Sequence, residues 1–293
     1  MSVDREKKSE KPLAPGLYLV ATPIGNLEDI TLRALRVLRS VDRIACEDTR
    51  QTQKLLNHFE IHTPTVSYHM HNEGSRSEEL VAELKLGARI AVVSDAGTPG
   101  IADPGGQIAN AAIAAGIDVF PVPGANAAIS GLIASGLPTE RFTFHGFLPA
   151  KAGQRKTALE ELARGDVTHL FYEAPHRILD TLADVEAVFG PSQNVVIARE
   201  MTKLHEEFLR GPVNELRAQL TARPSIRGEI VLMLAPAIVE NAAARPNIAI
   251  EVAALIKSAG ISEMDALKRI ARERGIGKSD AYRELQREQN RLR

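Results

Sequence analysis

Tryptophan is absent from this 293-residue sequence, and aromatic residues make up only 4% of it. This scarcity argues against extensive stacking of nucleic-acid bases on aromatic side chains. The single cysteine, Cys46, excludes an intrachain disulfide and a thiolate metal cluster. The formal net charge of -1 argues against a surface coated in basic charge. A local basic patch would nevertheless be enough to bind nucleic acid.

Long apolar runs are also missing, since even residues 230–236 form a run far too short to span a bilayer. Residues 1–15 are charged and contain prolines, a composition that predicts a disordered leader and not a signal peptide. The composition as a whole favours a cytoplasmic enzyme. The length predicts two domains with a small appendage.

The glycine patterns of nucleotide-binding folds are missing as well. The first predicted strand, residues 16–21, runs into a loop whose only glycine is Gly25, followed by helical periodicity over residues 31–38. Neither a dinucleotide fingerprint nor a phosphate-binding P-loop fits this loop. The commonest nucleotide-cofactor sites are therefore excluded.

Short β-branched runs alternate with helical segments through residues 16–138, which predicts an α/β domain with a parallel sheet. The pattern restarts near residue 142 and predicts a second α/β domain over residues 139–236. Residues 237–247 have the composition of a linker. Beyond them, three helical segments separated by glycine turns predict a helix-turn-helix-like tail over residues 248–293, with Ser262 capping the second segment. This tail is modestly basic, and two interpretations stay open: nucleic-acid binding, or a structural or dimerising role.

The longest glycine-rich loop follows the apolar strand predicted at residues 89–93. Residues 94–106 contain four glycines, two prolines and the acids Asp95 and Asp103. Ligands bind beyond the carboxyl ends of strands in open parallel sheets, and glycines let the backbone approach them closely. The loop therefore predicts a ligand site, the alternative being a connection that happens to be rich in helix breakers.

Polar residues also follow other predicted strands. Glu47, Asp48 and Arg50 follow residues 43–46, where they either line a crevice or cap the next helix. His69 and His71 suggest a metal, but the spacing alone is a weak signal, and a polar substrate-facing loop is favoured. The basic residues of the loop predicted at residues 150–157 favour phosphate contact slightly over a solvated loop.

Four motifs stand in one order along the chain. They read LVATPIGNL at residues 19–27, CEDTR at 46–50, SDAGTPG at 94–100 with DPG at 103–105, and YEAPHR at 172–177. Together they closely resemble the tetrapyrrole methylase family, and within it the branch that methylates ribosomal RNA. The resemblance covers about residues 16–236, and the tail also resembles that of the branch. The first loop lacks the double-glycine turn of the wider group, which weakens a tetrapyrrole substrate but not the cofactor.

The resemblance implies a two-domain α/β fold with a mainly parallel N-terminal sheet, a mixed C-terminal sheet and a small helical appendage. It also implies S-adenosylmethionine as methyl donor, bound in a cleft between the domains, and a homodimer. The implied substrate is the ribose 2′-hydroxyl of a 16S rRNA cytidine in the decoding region of the small subunit. The cofactor contacts that it implies are Pro23, Gly25, Asn26, Asp95, Ala96, Gly97, Thr98, Pro99, Gly100, Ile101, Pro123, Gly124, Ala125, Asn126, Ala127, Tyr172, Leu234, Ala235 and Pro236.

A ribose hydroxyl is a poor nucleophile, so a general base or a hydrogen-bond acceptor would assist the transfer. Glu47, Asp48 and Glu173 are the candidate catalytic residues because each ends or follows a predicted strand, and His69 and His71 are further candidates. The expected RNA contacts are Arg50, His69, His71, Arg177 and Lys203, and no metal is required. Two alternatives stay open: a methyltransferase acting on a tetrapyrrole or another small molecule, and a non-catalytic RNA-binding protein of ribosome assembly.

Overall fold

The computed structural model describes residues 12–163, 165–236, 248–274 and 277–291. The chain divides into two compact units, Met1–Ala237 and Ile238–Arg293. The expected linker and most of the expected leader, residues 1–11, lie outside the described residues. Two residues that the leader was expected to include are held in place, since Leu13 packs on the core and the Tyr18 hydroxyl donates to the Ala14 carbonyl at 2.7 Å.

The first sheet has five strands, all parallel, in the order β3-β2-β4-β1-β5. The strands are β1 Gly16–Val20, β2 Arg43–Cys46, β3 Thr65–Ser67, β4 Arg89–Val93 and β5 Val119–Val122. The helices between and after them are α1 Leu32–Ser40, α2 Thr49–His58, α3 Glu73–Lys85, α4 Gly106–Ala114 and α5 Ala127–Ser135.

Helices cover both faces of this sheet because the strand residues are apolar on both sides. In β4, Ala91 and Val93 pack under α1 and α2, whereas Ile90 and Val92 pack under α3 and α4. This pattern of near-continuous apolar runs is typical of buried parallel strands. All five strands end at one edge, so the loops that follow them meet there.

The second sheet is mixed, with the order β6-β7-β10-β8-β9. Its strands are β6 Phe142–Phe147, β7 Thr168–Glu173, β8 Asn194–Arg199, β9 Glu207–Pro212 and β10 Ile230–Leu234, of which only β6 and β7 pair in parallel. One face packs on α6 Ala152–Leu162, α7 Ile178–Phe189 and α8 Val213–Thr221. The other face packs on α5, whose Ala128 and Leu132 join Val231 and Met233 in one core. The two α/β halves therefore share a core.

The segment expected to be a basic loop at residues 150–157 instead begins α6, and its central cation is buried. Arg155 is 4% exposed, and its Nε lies 2.7 Å from Asp184 Oδ2. A guanidinium paired inside the protein is not available to a phosphate, so the expected phosphate contact of Arg155 is wrong. Strand β9 and helix α8 were not predicted from the sequence.

The second unit consists of α9 Ile248–Ala259, α10 Glu263–Arg274 and α11 Lys278–Arg291 around a small apolar core. The expected cap is present, since Ser262 Oγ accepts from the Asp265 N–H at 3.2 Å and lies 2.7 Å from Asp265 Oδ2. Across the described part of the chain, we find no helix with the length and apolarity needed to cross a membrane.

Candidate active site

A cavity of about 450 Å³ lies between the strand-end loops of the first sheet and one end of the second sheet. This volume falls within the usual range for cofactor and small-molecule sites. Its lining residues are Ile24, Glu47, Asp95, Ala96, Gly97, Thr98, Ile101, Ala102, Asp103, Ala127, Phe147, Tyr172, Glu173, Ala174, Pro175, Met201, Gly228, Glu229, Ile230 and Val231.

The β4 loop is tied to its neighbours by hydrogen bonds of its own backbone and hydroxyl groups. The Thr22 and Gly97 backbones donate to each other's carbonyls at 2.8 and 3.1 Å. Thr98 Oγ1 donates to the Ala125 carbonyl at 3.1 Å. Gly97 has a φ of +82°, and a Cβ there would lie 3.3 Å from Ile24 Cγ2. These contacts hold the loops after β1, β4 and β5 as one rigid wall.

The second part of this loop is strained. Ala102 adopts a φ of +62°, which is costly for a residue with a side chain, and it stands between the cavity residues Ile101 and Asp103. The Gly105 N–H donates to Glu73 Oε1 at 3.1 Å, which anchors the end of the loop. The surrounding contacts thus fix a conformation that points residues 101–103 at the cavity.

Three carboxylates, those of Glu47, Asp95 and Asp103, line this wall of the cavity. Burial, followed by the charges of Glu47 and Asp95, raises the pKa of Asp103 to about 6. Burial and then Asp95 also raise the pKa of Glu47. An acidic wall suits a cationic ligand, and a carboxylate that titrates near neutrality suits proton transfer. Asp103 belongs to the loop that the sequence predicts as a ligand site, but it was not among the expected catalytic or cofactor residues.

Asp48, an expected catalytic residue, is the N-cap of α2. Its carboxylate accepts from the Arg50 backbone N–H at 2.8 Å and from the Arg50 guanidinium at 3.1 and 2.9 Å. These bonds to Arg50 lower the pKa of Asp48 to about 2. Asp48 does not line the cavity. Of the two roles that the sequence allowed, the structure shows the capping of α2.

Glu173, another expected catalytic residue, has a fully buried side chain. One carboxylate oxygen accepts from the Ala174 N–H at 2.8 Å and the other from the Thr181 hydroxyl at 2.7 Å. Arg177 lies alongside, with its Nε 3.3 Å from Glu173 Oε1 and its Nη2 donating to the Leu148 carbonyl at 2.7 Å. Glu173 lines the cavity, but both of its carboxylate oxygens accept hydrogen bonds inside the β7–α7 turn, which favours a structural role over the role of the base. Arg177 is committed to the same turn.

Lys203, an expected RNA contact, forms ion pairs with two carboxylates of the same chain. Its Nζ lies 2.7 Å from both Glu200 Oε1 and Glu229 Oε2. Its stem packs against Gly25, where a Cβ would clash with it, and the Asn26 N–H donates to Thr202 Oγ1 at 3.1 Å. The loop after β1 therefore uses Gly25 and Asn26 to contact the second half, and neither lines the cavity.

His69 and His71 stand beside the cavity and do not line it. Their ring centroids are 5.9 Å apart, His69 is half-buried and His71 is exposed. Burial has the largest effect on the pKa of Glu47 and raises it, whereas the nearby His69 has a smaller, lowering effect. Within the described residues, no group of three or more His, Cys, Asp or Glu side chains is arranged to hold a metal ion.

Leu234, Ala235 and Pro236, which were expected to contact the cofactor, lie at the wrong end of the second sheet. In β10, Ile230 pairs with Glu173 at the cavity and Leu234 pairs with His169 at the far end. The expectation assumed that the carboxyl end of the strand faces the site, but β10 runs antiparallel to β7. Its first residues, Ile230 and Val231, line the cavity instead.

The remaining expected cofactor residues divide in the same way. The cavity brings together Asp95, Ala96, Gly97, Thr98, Ile101, Ala127 and Tyr172, whereas Pro23, Pro99, Gly100, Pro123, Gly124, Ala125 and Asn126 shape the adjoining loops. Asn126, for example, caps α5 by accepting from the Ile129 N–H at 3.1 Å. Sequence reasoning missed Phe147, which a bulge in β6 turns toward Tyr172, with 5.7 Å between the ring centroids.

Comparisons with known proteins find relatives that match most of the chain. These relatives include two proteins that are both named ribosomal RNA small subunit methyltransferase I. The protein of that name from Halalkalibacterium halodurans is 48% identical over 273 residues, which is 91% of this chain and 93% of the relative. The one from Synechocystis sp. is 46% identical over 268 residues, 91% of this chain and 95% of the relative.

Solved structures show the same fold at low sequence identity. The methyltransferase CobJ matches with a TM-score of 0.57 and 18% identity over 76% of this chain and 94% of CobJ. The uroporphyrin-III C-methyltransferase of Thermus thermophilus, solved in complex with S-adenosylhomocysteine, matches with a TM-score of 0.52 and 19% identity over 76% of this chain and 98% of that one. Residues 16–217 match the family described as Tetrapyrrole (Corrin/Porphyrin) Methylases. The chain therefore belongs to the tetrapyrrole methylase family.

Proposed function

We propose that this protein transfers a methyl group from S-adenosylmethionine to the ribose 2′-hydroxyl of a cytidine in 16S rRNA, in the decoding region of the small ribosomal subunit. The donor follows from membership of a methyltransferase family. The rRNA substrate follows from relatives at 42–51% identity that carry the name ribosomal RNA small subunit methyltransferase I. The observation that carries the proposal is the cavity bounded by the rigid β4 loop and the acidic side chains on it.

The residues of the cavity fit a sulfonium cofactor. The acidic wall of Glu47, Asp95 and Asp103 complements a cation, and the glycine-rich loop exposes backbone where a ligand must approach closely. Phe147 is 55% exposed, and together with Tyr172 it offers flat apolar surface for a nucleobase or an adenine ring. When bound, S-adenosylmethionine supplies an already activated methyl group.

The chain's own contribution is to position the hydroxyl and to take its proton. Asp103 lies in the cavity with a pKa of about 6, so at neutral pH its carboxylate is ionised and basic enough to accept a proton from a ribose hydroxyl. Glu47 acts on Asp103 through its charge, which helps to keep that pKa high. The hydrogen-bonded loops hold these groups in place, and good alignment of reactants supplies on the order of 7–11 kcal/mol of rate acceleration.

A homodimer in the cytoplasm completes the proposal. Two isoleucines one turn apart on α5, Ile129 and Ile133, are 44% and 75% exposed. We infer that a second copy of the chain buries this apolar stripe, because exposed apolar surface at helical spacing is typical of association sites. Sedimentation of the wild type and of Ile133→Glu tests the dimer, with a dimer expected for the first and a monomer for the second.

The function is tested by supplying the protein with tritiated S-adenosylmethionine and either small ribosomal subunits lacking the modification or a panel of porphyrinoids. Transfer to 16S rRNA in the subunits is the expected result. Transfer to a porphyrinoid alone would make the protein a small-molecule methyltransferase. Cofactor binding without transfer to either would favour a non-catalytic role in ribosome assembly.

A further inference from the structure

The layer formed by α1 and α2 has a charge unlike that of the layer on the opposite face of the same sheet. These two helices carry five basic residues and no acidic one: Arg33, Arg36, Arg39, Arg50 and Lys54. Across the sheet, α3 carries four glutamates against two basic residues, and α4 is uncharged. Because the whole chain has a net charge of -1, this basic layer is a local asymmetry.

A shallow, open groove lies between α2 and the edge strand β3 within this layer. It has a volume of about 440 Å³ and is lined only by polar and basic side chains: Thr49, Arg50, Gln53, Lys54, Asn57 and Thr65. The four lining residues at positions 50, 53, 54 and 57 follow helical spacing, so they form one stripe about 10 Å long. We call this feature the α2 groove.

The α2 groove begins where the cavity wall ends. The Asp48 N–H at the start of α2 donates to Asp95 Oδ1 at 3.1 Å, and Asp95 lines the cavity. Glu47, directly before Asp48, lines the cavity as well. A chain with its target residue in the cavity therefore has the α2 groove next to it.

The cations of the α2 groove are accessible. Arg50 contacts Asp48, yet its side chain remains 87% exposed. Lys54 is exposed and donates to Gln51 Oε1 at 2.8 Å, and among the described residues no carboxylate forms an ion pair with it. The amide and hydroxyl groups beside these two cations are donors suited to phosphate and ribose oxygens, and Gln53 Nε2 also donates to Asn57 Oδ1 at 2.8 Å.

We propose that the α2 groove binds the sugar–phosphate backbone of the RNA strand next to the methylated nucleotide. The inference rests on the proposed function for its substrate, but it concerns a surface separate from the cavity. Lys54 supplies a phosphate contact there, while Gln53 and Asn57 supply hydrogen bonds. The cavity itself is acidic, so attraction of a polyanion must come from outside it.

The test measures binding of deproteinised 16S rRNA between about 50 and 200 mM salt, because each phosphate contact to a single strand adds about 0.7 to the slope of log K against log salt. Lys54→Gln is expected to lower that slope by about 0.7, which is about fivefold weaker binding at 0.1 M salt. Asn57→Lys adds a cation to the stripe and is expected to raise the slope by a similar amount. Lys85→Gln, an exposed lysine on α3, is the matched control and is expected to behave as the wild type.

A second readout separates this inference from the proposed function. Lys54→Gln is expected to raise the KM for small subunits and leave kcat and the Kd for S-adenosylmethionine unchanged, with Lys54→Arg restoring KM. Wild-type methylation together with unaltered binding by Lys54→Gln and Asn57→Lys would overturn the α2 groove and leave the function intact. Altered RNA binding by these variants without any methylation would overturn the function alone. A Lys54→Gln defect on assembled subunits but not on deproteinised rRNA would assign the groove to a ribosomal protein and contradict the proposal.

Discussion

Asp95 and Asp48 are joined by a hydrogen bond from the Asp48 backbone N–H to Asp95 Oδ1, at 3.1 Å. This bond connects the loop after β4 to the start of α2, two segments that lie 47 residues apart in the chain. Asp95 Oδ1 thus helps to fix the cavity wall. The negative charge of Asp95 also raises the pKa of Glu47 and of Asp103, in addition to the larger effect of burial. Asp95 therefore contributes both to the geometry and to the electrostatics of the cavity.

Replacing Asp95 is therefore expected to weaken cofactor binding more than it lowers the stability of the fold. Asp95→Ala removes both the acceptor and the negative charge, and hydrogen bonds to charged groups contribute about 1.5–3 kcal/mol, which corresponds to a loss of roughly tenfold or more in affinity. Calorimetric titration with S-adenosylmethionine measures the loss, and Asp118→Asn, at an exposed position directly before β5, is the control. An unchanged Kd for a folded Asp95→Ala would remove Asp95 from the cofactor site.

The pH dependence of catalysis identifies the base. If Asp103 accepts the proton, kcat/KM rises with pH through about 6, the pKa of Asp103, and then levels off. Asp103→Asn is expected to lower kcat by about 10²–10⁴-fold and to abolish this rise. Glu47→Gln removes a charge that raises the pKa of Asp103, so its midpoint is expected at lower pH. A midpoint that stays in place in Glu47→Gln, or moves upward, would be inconsistent with this coupling.

Gly97 and Gly87 form a matched pair for testing the β4 loop. Both have positive φ values, +82° and +90°, but a Cβ meets Ile24 Cγ2 at 3.3 Å only at Gly97 and meets nothing within 4 Å at Gly87. Either change to alanine is expected to lower the free energy of unfolding by about 1–2 kcal/mol through the left-handed backbone. Only Gly97→Ala is expected also to weaken cofactor binding. Chemical denaturation and calorimetry check the two effects, and equal cofactor affinity in both variants would argue against the loop.

Stability is expected to fall in mild acid because of a histidine pair in which His169 is buried and His145 is half-buried. His145 Nε2 lies 3.0 Å from His169 Nδ1, and burial lowers the pKa of both residues below the usual 6.5. Both therefore bind protons less readily in the folded protein than in the unfolded chain, so their contribution to stability is complete above pH 6.5 and is lost as pH falls through the lowered pKa values. Urea denaturation from about pH 5 to 8 measures this slope. His145→Phe, which keeps a ring stacked on Phe171, is expected to flatten it, and an unchanged slope would exclude the pair as its source.

Removing the second unit is expected to separate substrate binding from cofactor binding. Residues 238–293 form their own compact unit with its own core, so a chain ending at residue 237 retains the core of the first unit. That variant is expected to bind S-adenosylmethionine as the full chain does and to methylate small subunits with a lower kcat/KM. Equal methylation kinetics would show that the tail is dispensable for the substrate.

Sequence patterns were sufficient for the first half of the chain because its strands are parallel. In that arrangement every carboxyl strand end reaches the same edge, so Glu47 and Asp95 could be placed together without a structure. The same rule failed for Leu234, because the direction of β10 depends on its pairing with β7 and β8, which no local pattern encodes.

Side-chain roles depended on partners that lie far away in sequence. Nothing in the sequence indicated that Glu173 and Lys203 have partners. In the structure, Glu173 accepts from Thr181 and pairs with Arg177. Lys203 pairs with Glu200 and Glu229. Arg155 was misplaced because the apolar periodicity of α6 is weak and its partner Asp184 lies on α7. Asp103 was placed in the ligand loop but not recognised as a base, because its raised pKa arises from burial and then from the charges of Glu47 and Asp95, all of which are tertiary features.

The most direct measurement of the central claim is the chemical identity of the methylated nucleoside. Small subunits lacking the modification are incubated with the protein and S-adenosylmethionine, and the 16S rRNA is then digested to nucleosides and analysed by mass spectrometry. The account predicts 2′-O-methylcytidine, at one position in the decoding region, with the Asp103→Asn variant giving little product. A methyl group on a base, on another nucleotide or on no rRNA nucleotide at all would contradict it.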